Sequence, residues 1–187
     1  MRKRARPLAG TAVNVARWVM RSKQVLIVFL ACAALGIGPG AATATAQEAV
    51  FLVRHAERLD ASDDSPLSAE GRARAARLAQ MLRDARITAI YVTQFQRTAQ
   101  TARPLADLLK VPLTRMPAAD PGALVRRLRA SESRARVLVV SHSDRLPILL
   151  RDLAAAEVTI PAAQYDDLFV VVPSDRPGTS LVMRLRY

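Results

Sequence analysis

The chain of 187 residues contains two histidines, and each closes an apolar run in the same way. The first run, Ala49-Val50-Phe51-Leu52-Val53, leads into Arg54-His55-Ala56-Glu57. The second, Val137-Leu138-Val139-Val140, leads into Ser141-His142-Ser143-Asp144. A short β-branched run bounded by polar residues reads as a buried strand of a parallel sheet. Ligands of such sheets bind outside the carboxyl ends of the strands, so both imidazoles stand where chemistry is usually done. Metal chemistry is not what these residues suggest. There is no third histidine and no His-x-x-x-His pair, and the one cysteine, Cys32, lies in the leader. With that leader removed, no disulfide, thiol nucleophile or zinc-thiolate site remains.

The elements around these histidines alternate between strand and helix. Strand one covers residues 49–53, and a polar loop then runs from Ala56 to Leu67. Ser68 is placed to cap a helix with Glu70 in its first turn. Ala75, Leu78, Ala79 and Leu82 form its apolar stripe, and Arg74, Arg77 and Arg83 are expected to face water. Ile87 to Val92 is a second strand. A helix over Gln96–Lys110 follows, with Pro104 expected to kink or restart it. Val111 to Arg115 is a short strand. Asp120 as N-cap and Pro121 at the first position open a helix ending at Ala130. Residues 136–140 form the strand leading to His142, and Pro147 sits early in the helix that follows. Leu168–Val172 and Ser180–Arg186 are late strands, joined as a hairpin or edge pair by the turn around Asp175-Arg176-Pro177-Gly178. This alternation argues a three-layer α/β/α sandwich with a mainly parallel central sheet.

The first 46 residues read differently. Arg21 and Lys23 precede the apolar stretch Gln24–Ile37, the breaker Gly38-Pro39-Gly40 and a small-residue stretch ending in Ala44-Thr45-Ala46. That is the order of a signal peptide cleaved before Gln47, or after Ala44. Starting at Met20 gives a signal of normal proportions, with residues 1–19 an over-extended leader. The expected product is an exported domain over residues 47–187, periplasmic or secreted. The alternative is attachment through an uncleaved N-terminal segment. The apolar stretch is short for a span, which needs about 20 residues. The net charge of +12 is concentrated in this leader. Seven of the 28 basic residues precede Gln47, leaving 21 against 16 acids, a net of +5. With aromatics at 4% and arginines scattered among aspartates, no basic face with stacking platforms is present for nucleic acid.

Four ordered pieces then resemble one family. Arg54-His55-Ala56-Glu57 is similar to an Arg-His-Gly or Arg-His-Ala signature after strand one. Leu67-Ser68-Ala69-Glu70-Gly71 resembles a leucine, hydroxyl, two-residue, glycine stretch. Ile90-Tyr91-Val92-Thr93 followed by Arg97-Thr98-Ala99-Gln100-Thr101-Ala102 resembles a strand and an Arg-Ala-x-Gln-Thr-Ala helix start. Val137 to His142 resembles a Val-Leu-Val-Val-Ser-His strand. Together, over about residues 49–155, they resemble the histidine phosphatase superfamily, also called phosphoglycerate mutase-like, and its small phosphohistidine phosphatases. The resemblance implies that His55 attacks phosphorus to form a phosphohistidine, which water hydrolyses. It implies that Arg54, Arg97 and His142 hold the phosphoryl group. The helix after Ser143 is placed to add backbone N–H groups. Thr93 either donates to phosphate or simply ends its strand.

The general acid is less defined. Asp144, two residues after His142, and Asp120, with its competing N-cap reading, are equal candidates. Glu57 is close to His55 and equally suited to a salt bridge. An enzyme without an acid favours substrates with good leaving groups. The expected partner is a small phosphorylated substrate, with no cofactor. Its specificity is expected from the Arg58–Pro66 and Met116–Gly122 loops and from residues 161–167, where Tyr165 and Asp166 can line the mouth. The competing reading is a phosphate-binding protein of the envelope that has lost turnover.

Overall fold

The computed structural model describes residues 48–130, 135–174 and 179–187. The expected signal peptide, its cleavage site, the Met20 start and the possible anchor lie outside the described residues, as does the turn at 175–178. Six strands are formed: β1 (Ala49–Arg54), β2 (Ala89–Thr93), β3 (Leu113–Met116), β4 (Arg136–Ser141), β5 (Asp167–Val172) and β6 (Leu181–Arg186). Four helices lie between them: α1 (Ala69–Leu82), α2 (Gln96–Leu109), α3 (Pro121–Ala130) and α4 (Leu146–Ala154).

The strands join in one sheet of order β3-β2-β4-β1-β5-β6. The first four are mutually parallel, β5 runs antiparallel to β1, and β6 is antiparallel to β5 at the edge. The late strands thus form the expected edge pair. The continuous apolar runs of β1 and β4 follow from covering both faces of central strands. Val53, Ile90, Val92, Leu138, Val140 and Leu168 face α1 and α2. Val50, Leu52, Tyr91, Val137, Val139 and Phe169 face α3 and α4. Two helices on each face make the three-layer α/β/α arrangement.

Of two local expectations, one is narrowed and one corrected. Helix α2 runs through Pro104 as a single helix, so Pro104 does not start a new segment. The missing N–H is tolerated because Ala102, Leu105 and Ala106, on either side of it, are buried against the sheet. Arg74 does not face water. Its guanidinium lies against Glu57, with both side chains about 15% exposed, while Arg77 and Arg83 are exposed as expected. Ser68 caps α1 as expected, its Oγ accepting from Gly71 N at 3.0 Å.

Gly71 is required where it stands. A Cβ there would meet the Glu57 carbonyl oxygen at 2.3 Å and the Glu57 nitrogen at 3.0 Å. The first turn of α1 therefore rests on the backbone just past His55. Ser68 N donates to the same Glu57 carbonyl at 3.0 Å.

Candidate active site

Strands β1 and β4 are neighbours, with Arg54 opposite Ser141. The residue after each is therefore side by side with the other, and His55 N donates to Ser141 O at 2.9 Å. The imidazoles of His55 and His142 meet edge to face with centroids 5.3 Å apart. They border an open cleft of about 360 Å³, lined also by Arg54, Arg58, Phe95, Arg97, Asp144 and Arg145.

Arg54 and Arg97 are each 8% exposed and are held alike. Arg54 Nη1 donates to the carbonyls of Ala162 at 2.7 Å and Gln164 at 3.0 Å, and its guanidinium lies 3.9 Å over the ring of Tyr165. Arg97 Nη1 donates to the carbonyl of Asp63 at 2.6 Å, and its guanidinium lies 4.2 Å over Phe95. In both, Nε is buried with no hydrogen-bond partner among the described residues. Unpaired buried donors on a cation are costly. An anion with several acceptor oxygens satisfies them, and a planar guanidinium presents its free edge as a fork.

The two imidazoles differ in what fixes them. His55 Nδ1 lies 2.8 Å from the carbonyl of Ala56. A carbonyl only accepts, so the proton sits on Nδ1 and the lone pair on Nε2. His142 Nε2 lies 3.0 Å from Thr93 Oγ1, which lies 3.0 Å from Thr98 Oγ1. Thr98 Oγ1 donates to the carbonyl of Phe95 at 2.8 Å, so it accepts from Thr93, and Thr93 in turn accepts from His142 Nε2–H. The open question about Thr93 thus has a third answer: it holds the second histidine.

Burial, together with the charges of His142, Arg97 and Arg54, pushes the His55 imidazole down to about 3, against its hydrogen bond to Ala56. Burial and the Arg97 charge, eased by Asp144, push His142 down to about 4. Both are therefore neutral at pH 7. With its one N–H given to Thr93, the neutral His142 becomes a donor to the phosphoryl group only when an incoming dianion draws a proton onto Nδ1.

Helix α2 explains its own motif residue by residue. Arg97 enters the cleft. Thr98 anchors the chain to His142. Gln100 Oε1 accepts from Leu67 N at 2.7 Å, and Thr101 Oγ1 accepts from Ala56 N at 2.9 Å while donating to Arg97 O at 2.7 Å. Thr98 and Thr101 are fully buried. Sequence reasoning assigned no role to Thr98, Thr101 or Phe95. Their place beside Arg97 at a strand-to-helix turn was the available signal.

The candidate carboxylates separate. Asp144 lines the cleft and pairs with Arg145 at 3.5 Å. Asp120 does not line it. Its Oδ1 accepts from Ala123 N at 2.8 Å and its Oδ2 faces Arg126, so the acid expectation gives way to the N-cap. Glu57 is bound by Arg74 Nε at 2.7 Å behind the site and is corrected from substrate contact to ion-pair partner. The Tyr165 ring lies 6.1 Å from that of His55 and against Arg54, whereas Asp166 turns to Arg186. The entrance of α4 offers little to an anion. The N–H groups of Arg145 and Leu146 both return to the His142 carbonyl, and Pro147 has none.

Residues 50–120 match the family model of the histidine phosphatase superfamily (branch 1). A probable phosphoglycerate mutase GpmB of Enterobacter sp. (strain 638) is 42% identical over 65 residues, which is 31% of this chain and 30% of that protein. The chain thus matches less than a third of that relative's length. Among solved structures, the protein histidine phosphatase SixA complexed with tungstate superposes with a TM-score of 0.62 at 28% identity, covering 74% of this chain and 96% of that one. A mycobacterial glucosyl-3-phosphoglycerate phosphatase shares the fold, with a TM-score of 0.60 at 15% identity over 75% of this chain and 98% of that one. The ordered motifs, the paired strand-end histidines and the likeness to SixA over nearly its whole length agree: residues 50–120 carry the histidine phosphatase superfamily (branch 1) pattern, on the fold of the solved histidine phosphatases.

Proposed function

We propose that this chain is an exported phosphatase acting on a phosphate monoester or phosphoanhydride through a phosphohistidine on His55. The observation that carries the reading is the pair of buried, anchored guanidiniums with unpartnered Nε groups that line one cleft with an imidazole whose Nε2 holds the lone pair. A tetrahedral oxyanion suits that arrangement, and the related SixA was solved with tungstate.

In the proposed reaction the Nε2 lone pair attacks phosphorus, and the phosphorus–oxygen bond to the leaving group breaks. Arg54, Arg97 and His142 take the charge on the phosphoryl oxygens. The Nδ1 proton stays on the ring, and its hydrogen bond to the Ala56 carbonyl stabilises the positive charge that develops there. The leaving oxygen takes a proton from Asp144 or from water. Water, losing a proton to solvent, then attacks phosphorus, and the nitrogen–phosphorus bond breaks to return the electron pair to His55 Nε2 and release phosphate. Asp144 is exposed and paired, so leaving groups that depart without strong acid assistance are favoured. Export rests on the order of basic, apolar, breaker and small residues before Gln47.

The test is turnover of an aryl phosphate by the full chain and by His55→Ala, with acid-labile phosphate trapped on the protein. Turnover and labelling that both vanish in the variant support the reading. Undiminished turnover in His55→Ala sinks it. Phosphate binding without turnover in the parent chain supports the second reading, a phosphate-binding protein, which the weak placement of Asp144 favours.

A further inference from the structure

We propose that Arg58 forms a second anion subsite, so that the preferred substrate carries another anionic group beside the phosphoryl that is transferred. This rests on the phosphatase reading and narrows its substrate class.

The inference starts from the charge around the cleft. Four guanidiniums line it, those of Arg54, Arg58, Arg97 and Arg145, against one carboxylate, Asp144. The two buried ones suffice for a phosphoryl dianion. Arg145 is paired with Asp144 at 3.5 Å. Arg58 is left over. It lines the same cleft, is exposed, and makes no ion pair among the described residues. Asp60 lies within reach of its charge, but Asp60 Oδ1 is occupied by the N–H and hydroxyl of Ser62.

Arg58 is close enough to act together with the inner pair. Its charge is felt by both Arg54 and Arg97. Holding a third cation beside two buried ones is unfavourable unless an anion joins them. The base of Arg58 is also fixed. Its backbone bridges to Leu67, Leu59 N donates to Pro66 O at 2.9 Å, and Leu67 N is bound by Gln100 of α2, the helix that carries Arg97. One rigid connection therefore sets the spacing between the inner fork and the outer cation. Because Arg58 is exposed while Arg54 and Arg97 are buried, the second anion must lie outward of the scissile phosphoryl. A terminal phosphoanhydride, or a phosphate ester with a nearby phosphate or carboxylate, has that shape.

The experiment measures competitive inhibition of aryl phosphate turnover by the full chain and by Arg58→Gln. The probes are methylphosphonate with one anionic group, methylenediphosphonate with two, and phosphonoacetate with a phosphonate and a carboxylate. In the parent chain the two-anion probes should bind more tightly than methylphosphonate. Arg58→Gln should reduce that preference by about threefold to tenfold, the range for a charged hydrogen bond that is not deeply buried. A loss confined to methylenediphosphonate identifies a phosphate as the second group, and one confined to phosphonoacetate identifies a carboxylate. A parent preference near one, or a preference unchanged by Arg58→Gln, overturns the subsite while turnover leaves the phosphatase reading standing. Absence of turnover together with absence of inhibitor binding overturns both. Circular dichroism of Arg58→Gln confirms that the comparison is made on folded protein.

Discussion

The site is built from two similar halves. His55, Arg54 and Tyr165 form one; His142, Arg97 and Phe95 form the other. In each, a strand-end imidazole is accompanied by a guanidinium tied by Nη1 to main-chain carbonyls and laid over an aromatic ring. The halves differ at the imidazole. A carbonyl, which can only accept, fixes the tautomer of His55. A chain of two threonine hydroxyls that ends on the Phe95 carbonyl fixes that of His142. The first half offers its lone pair at Nε2. The second ties up its Nε2–H and leaves Nδ1 to take a proton as charge comes and goes. The asymmetry of roles therefore lies in what stands behind each ring.

The sharpest way to break this comparison is to exchange the losses. His55→Ala should lower turnover by at least about 10⁴-fold, as expected for an attacking group. His142→Ala should cost about 10²- to 10³-fold, as expected for one stabilising donor. The reverse ranking in steady-state kinetics would swap the halves. Next come the forks. Arg54→Lys and Arg97→Lys keep the charge and lose the planar edge, so each should lower kcat/KM by about 10- to 100-fold. Arg54→Lys should also lower Tm, because Arg54 Nη1 ties down the carbonyls of Ala162 and Gln164.

A smaller effect isolates the hydroxyl chain. Thr93→Val should reduce turnover by about tenfold and Thr93→Ser should restore it, because a lost hydrogen bond is worth about 1–2 kcal/mol. The ¹⁵N shifts of the His142 ring should change in the first variant and return in the second. Unchanged shifts in Thr93→Val would remove the tautomer argument. The last effect is read in stability rather than turnover and concerns pH. Both imidazoles titrate lower in the folded chain than in the unfolded one. The unfolded state therefore binds more protons below pH 6.5, and stability falls from there towards pH 3–4 by a few kcal/mol. His142→Gln should flatten part of that slope in denaturant titrations.

Much of this was legible in the sequence because it is local. An apolar run that stops at Arg-His or at Ser-His marks a strand end, and two such ends in a parallel sheet must share one side. The Ser68 cap and the Asp120-Pro121 helix start were equally local. What was hidden depended on partners far along the chain. Nothing near Arg74 shows that Glu57, 17 residues away, will bury it. Nothing near Arg54 shows that Tyr165 will lie over its guanidinium, and Asp120 looked as available for proton transfer as Asp144 until the loops were placed. Pro104 misled because a helix tolerates one absent N–H when neighbouring turns are held against a sheet.

The pairing of Arg54 with Ser141 has one more consequence. The separation of the two rings comes from a hydrogen-bonded ladder, whose steps are about 3.3 Å and whose side chains alternate between faces. The catalytic spacing is therefore quantised. A one-residue insertion in β1 or β4 cannot widen it slightly; it moves a histidine by a full step and turns it to the opposite layer. Divergence of this scaffold towards new substrates is thus channelled into the loops that carry Arg58, Asp144 and Tyr165, while the distance across its reacting centre stays in discrete register.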